Sequence, residues 1–324
     1  MDLEVFNRHS GRILDTTGSV FVGEEIILRK LLAAALANGH VLFEDNPGLG
    51  KTLLAKVFAK VTGCKWKRVQ FTPDIMPADI LGNKVWRANT SDFMLEKGPV
   101  FTNILLADEI NRAPPKTQSA LLESMEERQV TIEGTTHKLE QPFFVMATQN
   151  PIEQEGTFPL PEAQMDRFLL RMATGYVKTC ELENEILLRR IRWKVDDPTD
   201  QVEPAVSQET FLEMQNTVEN DIYLDYSIID YINRMVRATR EHPAIDVGSS
   251  PRGGLSLLRA SRAHAAMMGR DFVTPEDVKI FARDALSHRL IMKMEYEIEG
   301  TLRPEGVVEE IVAKTAVPVD FMRK

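Results

Sequence analysis

"EDNPGLGKT" spans Glu44 to Thr52. It stands between a short apolar run, "HVLFE", and a stretch in which Leu53, Leu54, Val57, Phe58 and Val61 recur at helical spacing before Gly63. A buried strand, a Gly-rich bend and a helix, in that order, form the setting of a phosphate-binding loop. Backbone N–H groups at the helix start face an anion there, and the helix dipole favours its charge. Gly48 and Gly50 let the backbone curl without a Cβ clash. Lys51 is placed to reach the β- and γ-phosphates, and Thr52 to put its hydroxyl on Mg²⁺. The nucleotide cradle is therefore expected to comprise Asn46, Pro47, Gly48, Leu49, Gly50, Lys51, Thr52 and Leu53. The usual pattern is G-x-x-x-x-G-K-[ST], and Asp45 stands where its first glycine belongs. Aspartate tolerates turn conformations, and its charge is expected to point away from the phosphates.

Such a loop needs acids on a neighbouring strand. "NILLADEIN" supplies Asp108 and Glu109 where the apolar residues stop. Asp108 is placed to hold Mg²⁺ through water, and Glu109 to polarise an attacking water. A water-activating glutamate favours hydrolysis over transfer to another acceptor. A further apolar strand ends "ATQN", which puts Asn150 beside the same site, because ligands gather at the carboxyl ends of parallel strands. Asn150 is placed to orient the water and sense the γ-phosphate; a turn asparagine before Pro151 is the alternative.

Continuous apolar strands separated by helices indicate a parallel sheet covered on both faces. "EEIILRKLLAAALANG" reads as a helix ending at Gly39. Two segments break the rhythm and read as hairpins: "KVWRANTSDFML", within residues 83–97, and "QVTIEGTTHKLE", within 129–140. They either pad the core or project towards a pore or partner. Beyond Thr179 strands become rare. "ELENEILLRRIRW" and four later stretches read as helices, with Ser207 as one N-cap and Pro275 opening the last. The fold class expected is α/β with a phosphate-loop domain over residues 1–178, followed by an all-helical domain over residues 179–324.

The chain has 324 residues, 43% hydrophobic and 27% charged, as expected of a globular protein. No apolar run reaches about 18 residues, so no membrane span is expected. The N-terminus lacks the pattern of a secretory signal. Two cysteines, Cys64 and Cys180, read as reduced thiols in a cytoplasmic protein. The six histidines show no paired metal-ligand spacing. A net charge of −9 argues against broad nucleic-acid binding, which needs a concentrated positive surface.

Three stretches together carry a family resemblance: "LLADEINRAPPKTQSALLESMEERQVTIEG", "MATQNP" and "FPLPEAQMDRF". They resemble the MoxR group of AAA+ ATPases, in order and spacing, over most of residues 15 to 290. The resemblance implies an α/β nucleotide domain with a helical lid, ATP and Mg²⁺ as ligands, residues 45–52 as Walker A and Asp108–Glu109 as Walker B. Asn150 matches sensor 1. Arg167, in "MDRF", matches the arginine finger that reaches a neighbouring subunit's nucleotide. Arg252, in "SPRGG", matches the lid's sensor-2 arginine, and its place after Pro251 is expected to aim it back at the cleft. Positioned arginines offset the negative charge that spreads over the transferring phosphoryl oxygens. "SVFVGEE" resembles the adenine-contacting segment, with Val22 and Gly23 on the base. Arg112 either crosses the subunit interface or pairs locally with Glu123 or Glu126. A finger acting in trans requires a homo-oligomer, and hexameric rings suit the family. The resemblance also implies chaperone-like remodelling of protein clients, with partners that carry a von Willebrand factor A domain. A magnesium chelatase-like motor and a nucleotide-gated assembly protein with little turnover are the rival readings, Glu109 arguing against the second. A DNA-translocating motor is disfavoured by the acidic balance.

Overall fold

Three apolar runs, Val41–Glu44, Ile104–Asp108 and Phe144–Gln149, become neighbouring strands of one parallel sheet. A computed structural model describes residues 1–46, 48–89, 91–151 and 156–319. Two helices open the chain, α1 (Leu3–Val20) and α2 (Glu25–Leu36). Then come β1 (Val41–Glu44), α3 (Lys51–Val61), β2 (Trp66–Gln70), α4 (Pro77–Leu81) and a hairpin, β3 (Gly82–Arg87) with β4 (Asp92–Lys97). After these follow β5 (Ile104–Asp108), α5 (Pro115–Glu127), a second hairpin of β6 (Gln129–Ile132) and β7 (Thr135–Lys138), β8 (Phe144–Gln149), α6 (Glu162–Met165) and β9 (Leu170–Met172). The sheet runs β2-β5-β8-β1-β9. Strand β8 is thus inserted between the strand that feeds the Gly-rich bend and the strand that ends in the two acids.

Alternation along these strands sends side chains to two cores. Leu42, Leu105, Ala107, Val145 and Ala147 face α5 and its surroundings. Val41, Phe43, Leu106 and Met146 face the other way, into a cluster that also holds residues of α1, α2 and α3. That second cluster continues without a break into the C-terminal helices. They are α7 (Cys180–Trp193), α8 (Gln208–Asp221), α9 (Tyr226–Glu241), α10 (Pro251–Met267), α11 (Pro275–Leu286), α12 (Met294–Glu299) and α13 (Pro304–Lys314), joined by one short antiparallel pair, β10 (Ile245–Val247) and β11 (Ile291–Met292). Ile27, Leu28, Leu31 and Leu32 are all buried along α2, as a helix between two layers requires. The helical half is therefore seated on the first half through a shared apolar core.

The two hairpins differ. Val130 and Ile132 on β6 are buried in the core beside α5, so the second hairpin pads the sheet. The first projects: Trp86 and Phe93 stay 53% and 59% exposed and pack edge to face, ring centroids 5.2 Å apart.

One buried carboxylate pins the helical half. Asp277, at the start of α11, accepts hydrogen bonds from Thr274 N and Oγ1, His264 Nδ1 and both terminal nitrogens of Arg270, all at 2.6–2.8 Å. Burial alone would raise its carboxyl, but the bonds from His264 and Arg270 outweigh that and hold it far below the usual carboxylate range. Asp277→Asn is expected to cost about 3–5 kcal/mol, because it leaves the Arg270 charge without its partner. A depressed folded-state value gives stability that is complete above the unfolded-state value of about 4 and fades as pH falls below it. Denaturant titrations at pH 7 and pH 3 check both parts: the wild type should lose stability between them, and the variant should lose less.

Candidate functional site

The bend after β1 has the geometry of an anion cradle. Gly48 and Gly50 take φ of 84° and 76°, in the left-handed region that glycine reaches without strain. Gly50 caps α3 without a side-chain bond, and among the described residues no side chain accepts from the first-turn N–H groups of that helix, which suits them to a ligand. Lys51 is buried and donates to the Asn46 carbonyl at 2.9 Å. Burial pulls its ammonium below the ordinary lysine value, while Asp45, Asp108 and Glu109 act in the opposite direction. Asp45 turns away from the bend, as its charge requires. Its carboxylate accepts from Thr174 N (2.7 Å), Thr174 Oγ1 (2.8 Å) and Gly175 N (3.1 Å), which ties the bend to the segment leaving β9. Pro47 lies outside the described residues.

The acids arrive from β5, one strand further on. Thr148, on the intervening β8, donates to Asp108 Oδ1 at 2.6 Å and accepts from Glu109 N at 2.8 Å. Arg68 on β2 grips Asp108 Oδ2 through Nε at 3.1 Å and Nη2 at 2.7 Å. Gln70 donates to Glu109 Oε2 at 2.6 Å. Arg112 pairs with that same oxygen at 2.9 Å, a local partner other than the Glu123 or Glu126 expected. Glu109 takes left-handed backbone angles, φ 57° and ψ 49°, which bend the chain sharply at the strand end. Lys51, Thr52, Asp108, Glu109 and Asn150 all line one cavity of about 250 Å³. Thr148, Arg68 and Gln70 share that cavity and were not singled out from the sequence. The Thr52 hydroxyl and the Asp108 carboxylate are hard oxygen donors of the kind Mg²⁺ takes when phosphates and water complete its shell.

A second cavity, of about 560 Å³, meets the first along Gly48, Leu49 and Gly50. Val22, Gly23 and Leu53 line it, as expected of the base-contacting segment. Phe21, which the sequence reading passed over, packs there too: a Cβ on Gly23 would stand 2.5 Å from its ring, and one on Gly50 3.3 Å. The opposite wall is α7, through Ile186, Leu187 and Trp193. None of the residues of α7 is buried, and Leu187 is 65% exposed. The helical half thus reaches the cleft with α7 and not with the helix that carries Arg252.

Arg252 is the main departure. Its guanidinium does not turn back to the bend of its own chain. It forms an ion pair with Glu126 on α5, and Arg167 pairs with the same carboxylate at 2.9 Å. Both arginines line a third cavity, which shares no residue with the cavity around Lys51. Asp166 explains their meeting. Buried Arg289 holds it from Nε at 2.7 Å, and Ser250 Oγ donates to it at 3.1 Å, so the loop carrying Arg167 is fastened to the start of α10. Its place after Pro251 was expected to aim Arg252 at the cleft of its own chain; the shared core instead seats α10 against α2, and the side chain meets Glu126.

Known proteins resemble both halves of the chain. Residues 40–170 match the ATPase family associated with various cellular activities (AAA), and residues 237–311 match the AAA lid domain. A Bacillus subtilis (strain 168) protein called YeaC, itself uncharacterised, is 45% identical over 95% of both chains. Chaperone MoxR1 of Mycobacterium tuberculosis is 42% identical over 92% of this chain and 80% of its own. A crystal structure from Cytophaga hutchinsonii, of a protein provisionally named an ATPase, superposes with a TM-score of 0.88 at 39% identity, over 99% of this chain and 97% of that one. A chloroplast magnesium-chelatase subunit, ChlI-2 of Arabidopsis thaliana, is 30% identical over 58% of this chain and 43% of its own.

Proposed function

This chain belongs to the MoxR family of AAA+ ATPases, and from that premise we propose that it hydrolyses Mg²⁺-bound ATP at an interface between subunits to drive remodelling of protein clients. The observation that carries the proposal is the division of labour between two cavities. The phosphate cradle, the acids and the base pocket form one continuous cleft. The two arginines suited to the transition state stand elsewhere, together, on Glu126.

In the cleft, the first-turn N–H groups of α3 and Lys51 bind the β- and γ-phosphates. Phe21, Val22 and α7 hold the base by apolar contact. Thr52 and Asp108 would hold Mg²⁺, which would supply positive charge against the phosphates. Gln70 and Arg112 both reach Glu109 Oε2, so Oε1 is the oxygen that takes the proton of the attacking water, and Asn150 orients that water. Arg167 and Arg252 then act on the nucleotide of the adjoining subunit, which makes a ring, six-membered by family habit, part of the mechanism. Asp45 ties the cradle to Thr174 and Gly175, just ahead of α7, and α7 itself lines the base pocket, so that nucleotide state is passed to the helical half and residues 1–178 and 179–324 shift against each other. The exposed Trp86–Phe93 pair is the surface that such a shift would present to a client, in the cytoplasm and with a von Willebrand factor A partner.

The likeness to the magnesium-chelatase subunit is confined to part of each chain, whereas that to Chaperone MoxR1 covers 92% of this one. Remodelling is therefore preferred to metal insertion. Lys51→Ala tests the cleft itself. Loss of a buried, charge-assisted contact to two phosphates should weaken ATP binding at least tenfold. Fluorescence titration with a labelled ATP analogue reads this directly, and unchanged affinity would overturn the assignment of the bend.

A further inference from the structure

The cavity that holds Arg167 and Arg252 carries more positive charge than those two residues need. It has a volume of about 420 Å³ and is lined by five arginines, Arg128, Arg167, Arg252, Arg259 and Arg289, against two acids, Glu126 and Asp166. The chain as a whole bears a charge of −9, so this concentration is local. Both acids are already taken: Asp166 by Arg289, and Glu126 by Arg167 and Arg252. Among the described residues no carboxylate pairs with Arg128 or Arg259. Their guanidinium groups converge instead on a backbone oxygen. Arg128 Nη2 donates to Asn38 O at 2.6 Å and Arg259 Nη2 donates to the same atom at 2.7 Å. Arg259 Nη2 also reaches Ala37 O at 2.5 Å, and Arg128 Nη1 reaches Phe143 O.

Two cations held on one carbonyl oxygen repel each other. Burial and then the charge of Arg259 bring Arg128 down to about 10. Burial lowers Arg259 as well, and Glu219 offsets this only in part. Each guanidinium has five N–H donors. The bonds above involve only Nη2 of Arg259, which leaves its Nε and Nη1 for another acceptor. An anion with several oxygens answers both the unbalanced charge and the remaining donors.

We infer that the cavity between Arg128 and Arg259 is a binding site for a phosphate dianion, distinct from the phosphate loop. Phosphate matches the planar donor fork of arginine and presents oxygens to both side chains at once. The site stands on this chain alone and does not depend on the ring proposed above. In that ring it would lie just behind Arg167 and Arg252, so the phosphate cut from a neighbour's nucleotide is one source and free inorganic phosphate the other.

Lys51→Ala protein, free of nucleotide, provides the test, because its loop keeps only the backbone N–H groups of the cradle and the loss of Arg259 then reports on the second site alone. Calorimetric titration with inorganic phosphate, at ionic strength fixed with chloride, should show one saturable site per chain. Lys51→Ala/Arg259→Gln should bind at least tenfold more weakly, and Lys51→Ala/Arg259→Lys should fall between. A circular dichroism melt of each variant confirms folding, and Arg128→Gln takes the place of Arg259→Gln if the latter does not fold. Absence of a saturable site in Lys51→Ala, or equal affinity with and without Arg259, would overturn the inference. A fluorescent phosphate sensor separates the sources. Release that lags hydrolysis in the wild type and not in Arg259→Gln identifies captured product; calorimetric binding without a lag identifies free phosphate. Either result supports the site.

Discussion

Arg167→Ala is expected to bind ATP within a few-fold of the wild type and to hydrolyse it about 10³ times more slowly or worse. Binding should survive because Arg167 lines neither the phosphate cavity nor the base cavity of its own chain. Turnover should collapse because negative charge spreads over the transferring phosphoryl oxygens only as the bond breaks, and a guanidinium placed there stabilises that state above the bound substrate. Arg252→Ala should resemble it, since both side chains lie on Glu126 and are fastened to one another through Asp166, Arg289 and Ser250. Steady-state phosphate release alongside nucleotide titration separates the two effects. A parallel loss of binding would contradict a role confined to the transition state.

Glu109→Gln is the second large effect. Glutamine keeps the size of the side chain and can still meet Gln70 or Arg112, but it cannot take a proton from water. Removing a positioned general base lowers the rate by about 10²–10⁴. The cradle around Lys51 and the donors on Thr52 and Asp108 are untouched, so ATP should bind and persist uncleaved. Chromatography of the nucleotide extracted after incubation should yield ATP from the variant and ADP from the wild type. That trapped state is also the one in which a client is held longest, so affinity capture with Glu109→Gln is the direct route to the partner.

What could be read from the chain followed burial. Strands β1, β5 and β8 are legible because central strands of a parallel sheet are apolar throughout. The edge strands β2 and β9 are not, because Lys67, Arg68 and Gln70 are exposed and Leu170–Met172 is only three residues long. Helix α1 escaped notice because its buried face is sparse, Phe6, Ile13 and Val20 being its apolar members. At the site, Lys51, Thr52, Asp108, Glu109 and Asn150 converge because each sits at or just past the carboxyl end of a strand, which local sequence reveals. Thr148 was within reach of the same reasoning, two residues before Asn150 on β8. Arg252 was not. Its direction depends on how α10 is seated against α2 by a core assembled from both halves of the chain, and no local pattern encodes that.

The claim on which the mechanism turns is that one subunit's cleft is completed by another's arginines, and mixing two inactive variants tests it most directly. Lys51→Ala subunits have intact arginines and a failed cradle; Arg167→Ala subunits have an intact cradle and no finger. Combined in equal amounts and allowed to exchange, they should recover a substantial fraction of wild-type ATP turnover, because some interfaces then join a working cradle to a working Arg167. Turnover no higher than the sum of the separate variants, with mixed assemblies demonstrated by mass spectrometry, would contradict it.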